Sequence, residues 1–254
     1  MSIESVRVLT WNVQGSHGVD TAAVADAIMR VEADIVMLQE IQRGQFSRLA
    51  AAVGMPGRGW AFKHWSIVRG AEGAAVLTPH QLISARSFVL RRAPFWSWRR
   101  RVALVAAFER DGQRFSVINA HLSPHGEGER RRREAELIVA RAAAASPAPV
   151  IGGDLNDPPG GPGHEVFAAA GWIDAWRAIH DDDEPAGATN WTAGRRVGRP
   201  PTQRLDYVLA PPGWLVESCT IAFDGAQLDV AAALSDHLPV AATLQPLPPR
   251  KDAP

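Results

Sequence analysis

Short β-branched segments that alternate with helical patterns constrain the fold of this chain more than any other feature. Apolar side chains occupy successive or alternating positions in six segments, a pattern typical of strands in a buried sheet. These predicted strands are residues 7–12, 34–40, 115–121, 150–154, 205–209 and 238–244. Helical patterns lie between some of them, at residues 20–31, 42–53, 127–145 and 163–170. Residues 74–115 contain several strand-like segments and predict a meander of antiparallel strands.

This order of elements predicts an α/β fold in which packed sheets are covered by helices on the outside. The chain has 254 residues, of which 46% are hydrophobic and 21% are charged, so it can bury a substantial core and is not disordered. We expect a single domain over residues 1–245. Residues 246–254 are rich in proline and are predicted to form a flexible tail.

Charge and cysteine content exclude several classes of protein. The formal net charge is zero, so the whole protein is not a polycation that coats nucleic acid or anionic membranes. Cys219 is the only cysteine, and an intrachain disulfide is therefore impossible. The N-terminus has no signal-peptide pattern, and no segment approaches the roughly 18 apolar residues of a membrane span. We expect a cytoplasmic protein, favoured to be a monomer, without stable membrane insertion.

Polar residues stand where the predicted strands end. The carboxylate, amide and imidazole groups at or near these positions are Asn12, Glu40, His121, Asp154, Asn156, Asp236 and His237, and Asp206 lies within another strand. Each residue alone is more simply explained as a turn or solvated residue. Their repeated occurrence at strand ends needs a shared cause, because sites in α/β proteins gather at strand ends and adjoining loops.

The chemistry that suits this set is hydrolysis at phosphorus. Glu40 and Asn12 offer the hard oxygen ligands that Mg²⁺ or Mn²⁺ prefers. Asp154 can orient or deprotonate a water molecule, and Asn156 can donate a hydrogen bond to a phosphate oxygen. A cationic His237, paired with a carboxylate, can stabilise developing negative charge. The sequence has no phosphate-binding GxxxxGK[ST] loop and no GxSxG motif, and neighbours such as Ser235, Asp236 and His237 cannot easily adopt triad geometry.

Six motifs in order resemble the endonuclease/exonuclease/phosphatase superfamily, whose fold is similar to that of deoxyribonuclease I. They are LTWNVQG, DIVMLQE, INAHL, IGGDLND, QRLDYVLA and LSDHLPV, and they cover residues 6–244 approximately. The resemblance implies a four-layer α/β/β/α sandwich and a phosphoesterase that depends on Mg²⁺ or Mn²⁺.

The resemblance also implies roles for individual residues. Asn12 and Glu40 resemble the metal site of the family, and Asp236 resembles a residue that assists the metal. Catalytic roles are implied for His121, Asp154, Asn156, Asp206, Asp236 and His237, with Asp206 orienting His237. Glu72 falls where some members place a carboxylate against the histidine that His121 resembles.

The substrate is less constrained. The apurinic-endonuclease branch has a tyrosine where this chain has the His121 motif, and the only tyrosine here is Tyr207, which argues against abasic-site repair. Three arginine clusters, at residues 91–101, 130–133 and 195–204, could contact a nucleic-acid backbone. The aromatic residues 95–98 could stack on bases, enter a lipid interface or pack locally. Arg131 and Trp191 are candidate substrate contacts, although solvation and packing explain them equally well.

Three functional hypotheses follow. The first is a phosphodiesterase with DNA or RNA as the leading substrate. The second is a sphingomyelinase-like lipid phosphodiesterase or a small-molecule phosphatase. The third, a non-catalytic binding module on the same fold, is disfavoured by the complete set of polar residues, because charged groups are costly to bury without a function.

Overall fold

The computed structural model describes residues 4–68, 70–92, 100–124, 126–180, 187–191, 198–223 and 227–247. Twelve strands and six helices lie within these residues. The strands are β1 (Val6–Asn12), β2 (Ile35–Gln42), β3 (Gly57–Ser66), β4 (Gly70–Thr78), β5 (Gln81–Arg92), β6 (Arg100–Arg110), β7 (Gln113–His121), β8 (Val150–Asp154), β9 (Ile173–Asp174), β10 (Asp206–Ala210), β11 (Trp214–Ile221) and β12 (Val240–Pro246). The helices are α1 (Thr21–Val31), α2 (Arg43–Ala52), α3 (Gly128–Ala143), α4 (Pro162–Ala169), α5 (Ala175–Ile179) and α6 (Leu228–Leu234).

The strands form two six-stranded sheets. The first sheet has the order β11-β12-β1-β2-β4-β3, and the second has the order β5-β6-β7-β8-β10-β9. Only two pairs of neighbouring strands in these sheets are parallel, β1 with β2 and β7 with β8. Each of these parallel pairs is connected through a helix, α1 or α3, as the long crossover between parallel strands requires.

Three clusters of buried side chains define the layers. One cluster lies between the two sheets and joins residues such as Val8 and Met37 of the first sheet to Leu104 and Val117 of the second. Another cluster packs α1, α2 and α6 on the outer face of the first sheet. The remaining cluster packs α3 and α4 on the outer face of the second sheet. The predicted four-layer α/β/β/α sandwich is therefore confirmed.

The six strands and four helices predicted from sequence are all present, with ends that differ by a few residues. The antiparallel meander is confirmed for β5, β6 and β7, which pair in this order in the second sheet, whereas β4 belongs to the first sheet. Five elements were missed: β3, β9, β11, α5 and α6. In β3, Gly59 obscures the strand pattern, although it is needed there because a Cβ atom would lie 2.6 Å from the Cβ of Ala85 in the other sheet.

Two predicted positions need correction. Asp206 does not lie inside its strand but is the first residue of β10, where it pairs with Asp154 of β8. Glu40 does not end β2, because the strand continues to Gln42. The pairing register of β2 with β4 shifts between Leu38 and Ile41, so Glu40 lies where the hydrogen-bonded pairing of the two strands is irregular. Bulges of this kind redirect a side chain, and sequence periodicity does not reveal them.

Several predictions concern residues outside those described. They include the aromatic segment 95–98, the arginines at positions 99, 195 and 196, and most of the predicted tail, residues 248–254. Among the described residues, every helix is too short or too polar to cross a lipid bilayer.

A buried amide pair joins the two sheets directly beneath the strand ends. The Gln39 side chain of β2 donates to Oδ1 of Asn119 on β7 over 2.8 Å. Nδ2 of Asn119 donates to the backbone carbonyl oxygens of Leu38 (2.9 Å) and Ala75 (2.8 Å) in the first sheet. Asn119 is completely buried. These bonds fix the position of β7 relative to β2, and thereby the positions of His121 and Glu40 that follow in each strand.

Replacing Asn119 by alanine should lower the free energy of unfolding by about 3 kcal/mol, because it removes the donor to two buried carbonyl groups and one of the acceptors of the Gln39 amide. Urea denaturation of the variant and the wild type measures the difference. Gln113→Ala on the same strand, where the side chain is partly exposed, serves as the control. Equal midpoints for Asn119→Ala and the wild type would show that this inter-sheet bridge does not contribute.

Candidate active site

The register of the strands brings residues from both sheets together. In the first sheet Asn12 pairs with Gln39, the residue before Glu40. In the second sheet Asp154 is the neighbour of His121 on one side and of Asp206 on the other. One end of the sandwich consequently contains four of the predicted site residues. Asn12, His121 and Asp154 end β1, β7 and β8, and Asp206 starts β10.

Asp154 lies at the centre of this group. Its Oδ2 accepts a hydrogen bond from the Asn12 side chain over 2.9 Å, which connects the two sheets. The Nε2 atoms of His121 and His237 lie 3.5 Å and 3.7 Å from the same oxygen. Burial, opposed by the charge of His237 and helped by that of Asp206, raises the pKa of Asp154 to about 6. Asp154 is therefore a carboxylate at neutral pH, but a more basic one than usual.

The approach of the backbone to Asp154 depends on glycine. Gly153 has a φ of 140°, and a Cβ atom there would lie 1.8 Å from the carbonyl oxygen of Ala120 in the neighbouring strand. Only glycine fits this position. The GG of the IGGD motif thus serves to bring the catalytic end of β8 close to β7.

His237 forms a buried pair with Asp206. Its Nδ1 lies 2.7 Å from Oδ2 of Asp206. The Thr189 hydroxyl donates to the same carboxylate oxygen over 2.6 Å, which fixes the carboxylate plane. Burial alone would lower the pKa of His237, but the charges of Asp206 and Asp154 outweigh burial and raise it to about 10. His237 is therefore cationic at neutral pH.

The SDH motif acts through its backbone as well as its side chains. The Ser235 hydroxyl donates to the carbonyl oxygen of Asn12 over 2.6 Å and accepts from the backbone N–H of His237 over 3.1 Å. The indole N–H of Trp11 donates to the His237 carbonyl oxygen over 2.9 Å. Ser235 thus ties the loop to the end of β1 and is not part of a nucleophilic triad.

Glu40, Glu72 and His121 surround a buried lysine. Nζ of Lys63 lies 3.1 Å from Oε1 of Glu40, 3.1 Å from Oε1 of Glu72 and 3.4 Å from Nδ1 of His121. The ammonium group stands between Glu72 and His121, so the expected contact of Glu72 with this histidine runs through Lys63. Glu72 instead approaches His64, at 3.5 Å from Nδ1.

Burial and the charge of Lys63 together determine the protonation state of His121. Burial, followed by the charges of Lys63 and Arg101, holds the pKa of His121 well below its usual range, so the imidazole is neutral. Because Nδ1 faces an ammonium group, Nδ1 is the acceptor and the ring proton resides on Nε2. Nε2–H then faces Asp154 and the space beside it. Burial would raise the pKa of Glu40, but Lys63 outweighs burial and lowers it.

Two site residues adopt strained backbone conformations. Glu40 has a φ of 57° and Asn156 a φ of 51°, in the left-handed region that non-glycine residues rarely occupy. The Asn156 backbone N–H donates to Oδ1 of Asp154 over 2.9 Å, and its side chain donates to the Leu122 carbonyl oxygen over 3.1 Å. Strain of this kind is concentrated at functional sites, where the surrounding structure compensates for it.

Asp236 joins the site through Gln14. The Gln14 side chain donates to Oδ2 of Asp236 over 2.7 Å, and its backbone N–H donates to Oδ1 of Asn12 over 3.1 Å. Asp236 is only partly buried. Gln14 therefore holds two of the predicted metal ligands in one network.

The two predicted substrate contacts have partners within the protein. Nε of Arg131 donates to Asp157 over 2.8 Å, its Nη1 donates to the Pro124 carbonyl oxygen over 2.7 Å, and the side chain is 5% exposed. Trp191 packs in the cluster beneath the first sheet, and its indole N–H donates to the Arg199 carbonyl oxygen over 2.8 Å. Both side chains are placed where they stabilise the fold.

The donor set of the site fits a hard divalent cation. Asp154, Asp206 and His237 offer ligand atoms within 4.8 Å of one another, which could hold a metal ion. However, the cationic form of His237 has no lone pair to offer, and Asp206 is occupied by His237 and Thr189. Glu40 is the more open carboxylate, with a side chain 24% exposed, and it is the better anchor for a metal.

Sequence reasoning missed four polar residues near the site, Gln14, Lys63, Thr189 and Asn190, and it considered Arg101 only as part of a cluster that could contact nucleic acid. The Asn190 side-chain amide lies 2.9 Å from Nε2 of His237, and because the cationic ring donates from Nε2, the amide oxygen must be the atom that faces it. Arg101 is electrostatically coupled to Asp154 and Glu40. One signal could have found Lys63, because Lys63 and Lys251 are the only lysines in a chain that otherwise uses arginine.

Comparisons with known proteins agree with this architecture. A sequence profile of the Endonuclease/Exonuclease/phosphatase family matches residues 9–237. No curated protein is significantly similar in sequence. The structure is similar to an endonuclease/exonuclease/phosphatase from Bacteroides vulgatus, with 22% identity, a TM-score of 0.75 and coverage of 95% of this chain and 99% of the other.

Two further solved structures have the same fold. The mannosyl-6-phosphatase of Bacteroides thetaiotaomicron is 17% identical, with a TM-score of 0.73 and coverage of 94% of this chain and 99% of the other. The human Nocturnin catalytic domain with bound sulfate anion is 18% identical, with a TM-score of 0.74 and coverage of 96% of both chains. At these identities the similarity establishes the fold.

Proposed function

Because the chain belongs to the Endonuclease/Exonuclease/phosphatase family, whose members are generally phosphoesterase hydrolases, we propose that it hydrolyses a phosphate ester with the help of Mg²⁺ or Mn²⁺. The observation that carries the proposal is the pair that Asp154 forms with the cationic His237, with Nε2 of His237 3.7 Å from Oδ2 of Asp154. A base and a cation at this separation suit the attack of water on a phosphate group.

Asp154 is the group that orients the attacking water and accepts its proton. Its pKa of about 6 leaves it ionised at neutral pH, yet close enough to neutrality for proton transfer. Asn12 and the backbone N–H of Asn156 hold its two oxygens. These two hydrogen bonds fix the orientation of the Asp154 carboxylate.

Negative charge that develops on the phosphate oxygens is stabilised by donors that are already in place. His237 supplies a positive charge that Asp206 keeps in position. Neutral His121 supplies an Nε2–H donor, and Asn156 has a second side-chain N–H beyond the one bonded to Leu122. Fixed donors in a buried site stabilise a transition state strongly because they need no reorganisation.

Glu40 and Asn12 would hold the divalent cation, with Asp236 as an assisting ligand. When bound there, the cation would supply Lewis-acid stabilisation of the phosphate oxygens and of the leaving group. The Gln14 contacts with Asn12 and Asp236 support this grouping.

The sequence-based prediction of a nucleic-acid phosphodiester is the first substrate candidate. Its support from the arginine cluster 130–133 is weaker than the sequence suggests, because these side chains pair within the protein. Arg130 contacts Glu127, Arg132 contacts Glu129 and Glu136, Arg133 contacts Glu129, and Arg131 contacts Asp157. A second candidate, a small phosphomonoester, is favoured by the partly buried Arg101, whose positive charge interacts with Asp154 and Glu40.

A metal-dependent activity screen tests the proposal. Purified protein is assayed with Mg²⁺, Mn²⁺ or EDTA on plasmid DNA, RNA, sphingomyelin, bis(p-nitrophenyl) phosphate and p-nitrophenyl phosphate. We expect hydrolysis of at least one ester that EDTA abolishes and added metal restores. Activity that survives EDTA would contradict the metal requirement, and inactivity on every ester under every condition would favour a binding module.

A further inference from the structure

Two cations besides His237 lie near the candidate site. Lys63 is located on β3 and Arg101 near the start of β6, so they approach from the two different sheets. Ala103 pairs with Ala120, which places Arg101 at the end of the second sheet where His121 lies. A buried cation is costly unless an anion receives it, and the carboxylates of Glu40 and Glu72 already receive Lys63.

The guanidinium group of Arg101 is incompletely hydrogen-bonded within the described residues. Its Nη1 atom is buried and finds no hydrogen-bond partner among the described residues. Buried guanidinium N–H groups are normally paired, because an unpaired one gives up its hydrogen bonds to water without replacement. Since no acceptor for this N–H group lies in the described part of the chain, it is available to an anionic ligand.

The acidic neighbours of Arg101 are occupied by other donors. The charges of Asp154, Glu134 and Glu40 act on its guanidinium group. Glu134 accepts from the Ser123 backbone N–H and hydroxyl over 2.7 Å and 2.6 Å. Asp154 accepts from Asn12 and Asn156, and Glu40 from Lys63. Arg101 thus approaches the catalytic carboxylates without being neutralised by a hydrogen-bonded ion pair.

We infer that Arg101, beside the cationic His237, forms an anion subsite that receives the terminal, doubly charged phosphoryl group of a phosphomonoester. Arg101 would bond the non-bridging oxygens of this group directly through its unpaired Nη1. A phosphomonoester carries about −1.5 to −2 charges near neutral pH, because its second pKa is about 6, whereas a phosphodiester carries one. A second cation beside His237 therefore favours the monoester. This inference rests on the proposed function and specifies its substrate class.

The test compares two esters with the same leaving group. Wild type, Arg101→Met and Arg100→Met are assayed at pH 8 with metal on p-nitrophenyl phosphate and bis(p-nitrophenyl) phosphate. Arg100 is the matched control, because its Nε donates to the Phe62 carbonyl oxygen over 3.0 Å and its guanidinium stacks on the Phe62 ring. Thermal melting establishes that both variants fold.

The wild type should have a higher kcat/KM for the monoester. Arg101→Met should lower monoester kcat/KM by about 100-fold and diester kcat/KM by less than about tenfold, while Arg100→Met changes neither substantially. An equal loss on both esters in Arg101→Met would overturn the inference. So would a wild-type preference for the diester, which would leave the proposed function intact.

Binding of inorganic phosphate to the metal-free protein, measured by calorimetry, provides a readout that does not depend on turnover. Arg101→Met should weaken this binding by about tenfold, which corresponds to one lost charge-assisted hydrogen bond. Unchanged phosphate affinity in Arg101→Met would overturn the subsite. If neither ester is hydrolysed, the proposed function fails and the calorimetry alone decides whether the subsite exists.

Discussion

Replacement of Asp154 by asparagine should lower kcat by about 10³- to 10⁴-fold, the upper part of the range for a lost general base. The change keeps the size and shape of the side chain, removes its charge and basicity, and replaces one of its two acceptor oxygens by an amide donor. KM should change much less, because the direct contacts with the phosphate come from other residues. Steady-state kinetics with saturating metal on the best ester from the screen provides the measurement.

The same substitution should change the stability of the fold little, because two opposing effects act on it, and this separates catalysis from structure. Burial raises the pKa of Asp154 to about 6, so the folded protein bears a cost for keeping this carboxylate ionised above that pH, and a neutral amide removes the cost. The amide also loses one of the two hydrogen bonds that Asp154 accepts from Asn12 and from the Asn156 N–H. Asp26→Asn, on the exposed face of α1, is the control and should retain full activity. A kcat of Asp154→Asn within about tenfold of the wild type would exclude Asp154 as the base.

The four-layer fold could be predicted from the sequence because each layer consists of strands or helices whose apolar side chains repeat every few residues. The apolar segments around Val8, Met37 and Val117 have a strand periodicity, and each lies in the core between the sheets. The polar residues at the strand ends were visible for the same reason, since a break in an apolar pattern marks where a strand leaves the core.

What the sequence did not reveal depends on register and on backbone irregularity. Lys63 lies in the middle of β3 and Arg101 near the start of a hairpin strand, so neither follows a recognisable strand end. Their position beside Glu40 results from how two sheets pack, which local patterns do not encode. Glu40 points into the site because β2 is irregular there, and Thr189 reaches Asp206 from a loop distant in sequence.

The contact expected between Glu72 and His121 illustrates the difference in chemical terms. A carboxylate against a histidine would raise the pKa of the histidine and make it an acid. With Lys63 between them, the ammonium charge acts in the opposite direction and the imidazole is neutral. Because Lys63 lies between them, Glu72 does not raise the pKa of His121, and the histidine is a neutral group instead of an acid.

Replacement of His237 by glutamine should lower kcat by about 10³-fold, the upper value for loss of one transition-state donor. Glutamine retains an N–H donor toward Asp206 but lacks the positive charge. Asp206→Asn should lower kcat by about 10²-fold. An asparagine oxygen can replace the Oδ2 that accepts from Thr189 and His237, so this variant removes the charge that keeps His237 cationic while it preserves the hydrogen bonds.

The double variant distinguishes a coupled pair from two independent contributors. If Asp206 acts only through His237, its substitution has nothing left to affect in the His237→Gln background. The kcat of the double variant should then equal that of His237→Gln, and the coupling energy should match the whole effect of Asp206→Asn. A loss equal to the product of the two single effects would mean that Asp206 acts on the reaction by another route. Nuclear magnetic resonance titration gives a second readout: the pKa of His237, about 10 in the wild type, should fall in Asp206→Asn, since Asp206 is the strongest of the charges that raise it.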